Sequence, residues 1–370
     1  MLGDITPRDF LRDYWHKKPL LIRKAFPGFT GLLTPDELIK LSLGEDAQSR
    51  LVAFDKGKWS LKEGPFEQRH FKKLPKSWTL LVQGINLHLA AGDKLLRKFD
   101  FVPHARLDDL MVSYAPDGGG VGPHYDSYDV FLLQGMGKRR WQISSSADRT
   151  LLPDAPLRIL SRFVPEEEWL LESGDMLYLP PKYAHNGIAV GDSMTYSIGF
   201  RAPSNLELAT QFLIHLQDHI EMKGMYEDPE LALQDHPAEI GESMLEKVSE
   251  ILDRIRWERS DVERFLGTYL SEPKSHLFFD PPDRPFAEKR FVEYFEKRGV
   301  RLDPKSQMLF TRDHLFINGE VLSFDGFDGD WLRMLADRRS SRSVTDAATM
   351  SLLYQWYRDG YIEIGGEGDD

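Results

Sequence analysis

Between Asp109 and Pro203 the chain is cut by turn signals into short strand-like runs. The runs are Leu110–Tyr114, Val130–Gln134, Arg139–Ser144, Trp169–Leu171, Met176–Leu179 and Met194–Arg201. Asp117-Gly118-Gly119-Gly120, Gly135-Met136-Gly137, Ser173-Gly174-Asp175 and Gly191-Asp192 fall between them. Runs this short bury little as helices. As strands at this spacing they predict an antiparallel sandwich or a closed barrel.

The flanks read differently. Before the barrel, helix-like and strand-like segments alternate. A helix starts near Thr6-Pro7, a strand covers Pro19–Arg23, and the apolar run Trp78–Gly84 fits either state. After it, Ser204 and Glu207 have capping-box spacing, with Leu206, Ala209, Leu213, Leu216 and Ile220 at helical spacing behind them. Further helices are expected around Glu242–Trp257 and Asp261–Tyr269. Pro281-Pro282-Asp283-Arg284-Pro285 reads as a linker. Beyond it come an Asn318-Gly319 hairpin within Leu315–Leu322, a helix over Asp346–Arg358 and a strand over Tyr361–Ile364. The expected class is α+β. A barrel domain covers 1–203, an acidic helical segment 204–272, and a winged-helix-like module 273–370.

Composition narrows the chemistry. Cysteine is absent, which removes disulfides and thiolate sites, so any metal must be held by His, Asp or Glu. No apolar run reaches membrane-spanning length, and the N-terminus lacks a basic region followed by an apolar stretch. A cytoplasmic protein with no membrane association is expected. The net charge of −12 is uneven: residues 204–272 carry 6 Lys/Arg against 16 Asp/Glu. That balance opposes direct nucleic acid binding and favours basic partners.

The candidate site lies in the barrel segment. His124 and Asp126 stand two apart, a spacing that turns both to one side of a strand. His185 follows Gly174-Asp175-Met176-Leu177-Tyr178-Leu179-Pro180-Pro181. Two imidazoles and one carboxylate are the ligand set of a non-haem Fe(II) oxygenase, which leaves one face of the metal open. The bland alternative is a surface loop histidine and a satisfied core imidazole. In Gly137-Lys138-Arg139-Arg140-Trp141, Arg139 shares strand parity with Trp141 and points inward if the indole is buried. Its fork could then hold the distal carboxylate of 2-oxoglutarate. Gly118-Gly119-Gly120 precedes a strand and lacks a following Gly-Lys-Ser/Thr, so it is a tight turn beside the site rather than a phosphate loop. Asp117 and Tyr125 border the site. His215 and His219, four apart on a helix, read as solvated.

With these residues in view, the chain resembles the JmjC-domain oxygenases of the cupin superfamily, and most of all their bacterial ribosomal oxygenase branch, the arginine hydroxylases. Phe10–Ile22, Gly118–Asp126, Asp129–Gly135 and Tyr196–Pro203 carry the likeness. The resemblance implies a double-stranded β-helix barrel, then a helical dimerisation segment, then a winged-helix-like module. It implies that His124, Asp126 and His185 bind Fe(II), and that Arg139, with Ser197 as a second contact, holds 2-oxoglutarate, O2 being the other co-substrate. It further implies hydroxylation at the β-carbon of an arginine in the large-subunit ribosomal protein L-sixteen, a basic partner, by a homodimer. Three other readings stay open: a catalytically inactive cupin binding module in ribosome assembly, a JmjC oxygenase with a different substrate, and a DNA-binding regulator using the C-terminal module.

Overall fold

The computed structural model describes residues 1–181, 183–342 and 346–365. They form two compact units, one of residues 1–202 with 275–278 and one of 203–274 with 279–370.

Among the described residues, the first unit holds eleven strands: β1 (Leu20–Ile22), β2 (Ser49–Asp55), β3 (Lys58–Glu63), β4 (Ser77–Val82), β5 (Leu107–Ala115), β6 (Val130–Gln134), β7 (Lys138–Ser144), β8 (Glu167–Glu172), β9 (Met176–Leu179), β10 (Ala184–Val190) and β11 (Ser193–Phe200). Eight make one sheet in the order β1-β9-β6-β11-β5-β4-β2-β3, and β10-β7-β8 make the other. All the paired neighbours are antiparallel. The Trp78–Gly84 run resolves as strand β4, and β2-β3, which no sequence signal had marked, is a hairpin beside it.

Side-chain parity divides the large sheet into two faces. On one, Phe131 and Leu133 of β6 join Phe10, Phe99, Tyr178 and Phe200 in an aromatic core. Helix α1 (Pro7–Asp13) supplies Phe10, whose ring meets Tyr178 edge-on at 4.8 Å; Thr6 caps that helix through the Asp9 amide. Helices α2 (Pro35–Leu41), α3 (Ile85–His88) and α4 (Ala90–Leu96) precede β5. On the other face, Val130 and Leu132 turn inward toward Trp141, Ile143 and Leu171 of the small sheet. Strands β6 and β11 are buried throughout; β6 reads as a nearly continuous apolar run, whereas β11 alternates Met194, Tyr196 and Ile198 with Ser193, Thr195 and Ser197.

In the second unit, Ser204 and Glu207 close the expected capping box on α5 (Asn205–His219). Helices α6 (Glu242–Leu252) and α7 (Arg259–Ser271) follow, α6 ending earlier than its periodicity suggests. Helix α7 packs on the hairpin of the same unit: Gly267 lies against Phe316, and Glu263 accepts from Thr311 and pairs with His314. That hairpin belongs to the sheet of β13 (Met308–Phe310), β14 (His314–Ile317) and β15 (Glu320–Ser323). Asn318 and Gly319 both take positive φ (51° and 88°) at its tip. Helices α8 (Glu288–Arg298), α9 (Gly329–Arg338) and α10 (Ala347–Asp359) pack with a small sheet of β12 (Val300–Leu302), β16 (Ser340–Ser341) and β17 (Ile362–Ile364). The Pro281–Pro285 segment is not a free linker. Asp280 and Pro281 back onto Gly360, and the Phe286 carbonyl accepts from Tyr354. Of the apolar series on α5 only Leu216 is buried; Leu206 is 77% and Leu213 63% exposed.

Candidate metal centre

The barrel brings His124, Asp126 and His185 together, with one donor atom from each all within 4.8 Å of one another. The route differs from the strand alternation that the spacing suggests. His124 and Asp126 lie in the loop before β6, not in a strand. A single backbone bridge supplies the order: the His124 amide donates to the His185 carbonyl at 3.0 Å, and the return bond is 2.9 Å. It lays the two imidazoles face to edge, centroids 4.3 Å apart.

Each imidazole is oriented through its inner nitrogen. Nδ1 of His124 lies 2.9 Å from the Gly122 carbonyl, and Nδ1 of His185 lies 3.3 Å from that of Tyr183. A carbonyl can only accept, so both Nδ1 atoms carry the proton and both Nε2 atoms offer a lone pair. Those Nε2 atoms stand 3.7 and 3.5 Å from the two Asp126 oxygens. These gaps exceed a hydrogen bond and suit donors that share one ion at roughly 2.0–2.2 Å. Burial, with a smaller push from His124, holds the His185 imidazole down at about 4 against the pull of Asp126. It therefore stays neutral and ligand-competent at pH 7.

Two glycines make the bridge possible. A Cβ on Gly120 would stand 2.5 Å from the Gly187 carbonyl oxygen, and one on Gly187 would stand 2.7 Å from the Trp141 ring. The Gly118–Gly120 turn thus lets the two backbones touch, with Gly118 donating to Ala189 and Ala189 to Gly119.

Arg139 lies in the same cavity, 4% exposed, beside Trp141 as their shared parity requires. Its Nη1 donates to Ser113 at 3.0 Å and to Thr195 at 3.1 Å, and its Nε has no acceptor. No carboxylate among the described residues pairs with it, and burial pushes its guanidinium down to about 10. A buried cation with only neutral partners is a site for an anion. The Trp141 indole N–H and Thr79 hydroxyl, also in this cavity, are orphaned as well. A cavity of about 290 Å3 lined by unmet donors fits a small dicarboxylate, and the His–Asp–His set fits Fe(II). Ser197, on β11, lines it too.

Sequence reading missed Ser113, Thr195, Thr79, Asp108, Asp109 and Tyr128, all of which line this cavity. The available signal was a polar residue at inward parity inside an apolar strand, as Ser113 is within Leu110–Ala115. Burial first, then the charges of Asp126 and Asp109, pushes the Tyr128 phenol well above its ordinary range, so it remains protonated. Asp117 does not reach the cavity; it clips the β10–β11 turn by accepting from the Gly191 amide. Tyr125 lines the cavity, but its hydroxyl is taken by the Ser146 and Asp148 carbonyls. His215 and His219 stack on each other at 4.2 Å.

A closed double-stranded β-helix with a two-His, one-carboxylate centre and a buried cation defines a cupin-type metal oxygenase. Residues 94–208 match the JmjC domain family and residues 254–363 the ROXA-like winged helix. The chain is 34% identical to the ribosomal protein uL16 3-hydroxylase of Escherichia coli over 319 residues, 85% of this chain and 84% of that one. It is 41% identical to a probable ribosomal oxygenase of Haemophilus influenzae over 237 residues, 62% and 56% of the two chains. The structure of the ribosomal oxygenase YcfD of Escherichia coli with cobalt and 2-oxoglutarate superimposes with a TM-score of 0.83 at 30% identity, covering 98% of this chain and 99% of that one. The chain belongs to the JmjC-domain bacterial ribosomal oxygenases.

Proposed function

We propose that this protein is an Fe(II)- and 2-oxoglutarate-dependent hydroxylase acting on the β-carbon of an arginine in large-subunit ribosomal protein uL16. The observation that carries the reading is the uncompensated Arg139 cation in one cavity with the His124, Asp126 and His185 donors. His124, Asp126 and His185 would hold the metal, and Arg139 with Ser197 would hold the co-substrate. When bound, the metal supplies oxygen activation coupled to decarboxylation of 2-oxoglutarate. The protein orients that chemistry. The carbonyls of Gly122 and Tyr183 fix the imidazoles, while Val130, Leu132 and Trp141 wall the cavity against water.

Charge favours an arginine as the target. Asp108 and Asp109 line the cavity, and a Cβ placed on Gly199 would stand 3.8 Å from both the Asp109 carboxylate and the Tyr128 ring, so these two groups face the same spot. A guanidinium gains both from a carboxylate and from an aromatic face. The organisation that goes with this reading is catalysis in 1–203, dimerisation through 204–272 and a winged-helix-like module in 273–370. The exposed Leu206 and Leu213 support the homodimer, since a helix with its apolar face bare needs a cover. A ribosomal protein substrate fits a cytoplasmic location.

Intact-mass analysis of ribosomal proteins from cells with and without the gene tests the function. One basic large-subunit protein should be lighter by one oxygen atom in its absence. Unchanged masses throughout would reject the substrate. Absence of succinate release by the iron-loaded protein with the ribosomal protein present would favour the inactive binding module.

A further inference from the structure

Behind Arg139 lies a chain of hydrogen bonds whose every direction is forced. It begins at the Met136 carbonyl, which can only accept. Gln134 Nε2 donates to it at 2.9 Å, and also to Ser193 Oγ at 3.0 Å, which fixes the amide with its oxygen pointing the other way. That Oε1 takes the Thr195 hydroxyl proton at 3.0 Å. Thr195 has a single proton, so toward Arg139 it presents a lone pair, and Nη1 donates into it. Gln134, Ser193 and Thr195 are all at most 1% exposed, and the Gln134 backbone is itself tied to Gly174 and Asp175.

We infer that Gln134 is a positioning residue that sets the polarity of the co-substrate pocket through Thr195. With Thr195 reserved as an acceptor, Arg139 is steered to one position. Ser113 also accepts from Arg139, and among the described residues nothing takes its own proton, so it is the hydroxyl left to donate to an incoming carboxylate. Gln134 does not line the cavity and touches neither the metal donors nor Arg139.

This inference rests on the assignment of 2-oxoglutarate to the Arg139 pocket, and its test separates the two. The full chain is loaded with Mn(II), which supports binding without turnover, and titrated with 2-oxoglutarate by calorimetry. The proteins compared are wild type, Gln134→Leu, Thr195→Val, the double variant and Thr195→Ser. Losing one buried hydrogen bond that orients a charged partner should weaken binding about tenfold in Gln134→Leu and in Thr195→Val. If Gln134 acts only through Thr195, the double variant binds no more weakly than Thr195→Val. Thr195→Ser, which keeps the hydroxyl, should bind within about twofold of wild type, a result that general loosening of the core would not give. Wild-type affinity in Gln134→Leu, or additive losses in the double variant, overturns the relay while leaving the pocket assignment intact. No binding to wild type overturns both.

Discussion

Replacing Arg139 with methionine separates what this residue costs the fold from what it gives the site. Burial pushes its guanidinium down to about 10. A base whose folded value is lowered is charged in both states at any pH below that value, so at pH 7 the folded protein carries the whole penalty, about 3 kcal/mol. The stability would rise with pH only above about 10, outside any useful range. The bonds to Ser113 and Thr195 offset part of this, at about 1 kcal/mol each. Methionine fills much of the same volume without the charge. Without co-substrate, Arg139→Met should therefore unfold at the wild-type temperature or a few degrees above it. With 2-oxoglutarate at about a hundred times its Kd, the wild type gains ~2.7 kcal/mol, roughly 5–10 °C for a unit of this size. The variant should gain nothing. Scanning calorimetry of the Mn(II)-loaded proteins with and without 2-oxoglutarate reads both effects. A variant that keeps the shift, or loses more than about 2 kcal/mol before ligand is added, refutes the argument.

Asp126→Ala removes the only carboxylate of the trio and should weaken Co(II) binding about a hundredfold or more with an unchanged circular dichroism spectrum; near-native affinity in a titration would move the site elsewhere. Gly120→Ala sets a methyl 2.5 Å from the Gly187 carbonyl and should destabilise the first unit by roughly 1–3 kcal/mol in a denaturant titration, with metal affinity falling because Gly187 is two residues from His185. Leu213→Glu puts a charge on the bare face of α5 and should yield monomers in sedimentation velocity; an unaltered distribution would discard that face as the contact.

Much of the barrel was legible because its strands are short and its turns carry glycine at positions where φ is positive, as at Gly118, Gly137, Gly174 and Gly191. Arg139 was legible through parity: its neighbours Lys138 and Arg140 are exposed while it and Trp141 are buried. His124 and Asp126 were found for a reason that does not apply, since they lie in a loop. What aligns them is a two-bond bridge to His185, sixty-one positions away, and no local pattern encodes it. Ser113, Thr195 and Gln134 went unseen because a hydroxyl or amide inside an apolar strand looks like a flaw until its partner is known. The α5 stripe was read as an apolar face, but periodicity does not say against what it packs.

The pairing of β7 with β10 has a consequence for which acids the pocket accepts. His185 stands opposite Ile143, and Arg139 opposite Ala189, so the proposed metal donor and the buried cation are rooted four positions apart along one ladder. At about 3.3 Å per position, their anchor points are held roughly 13 Å apart by backbone alone. The sheet is thus a ruler with fixed end marks. Carbon count, more than charge, decides which dicarboxylate can touch both ends at once.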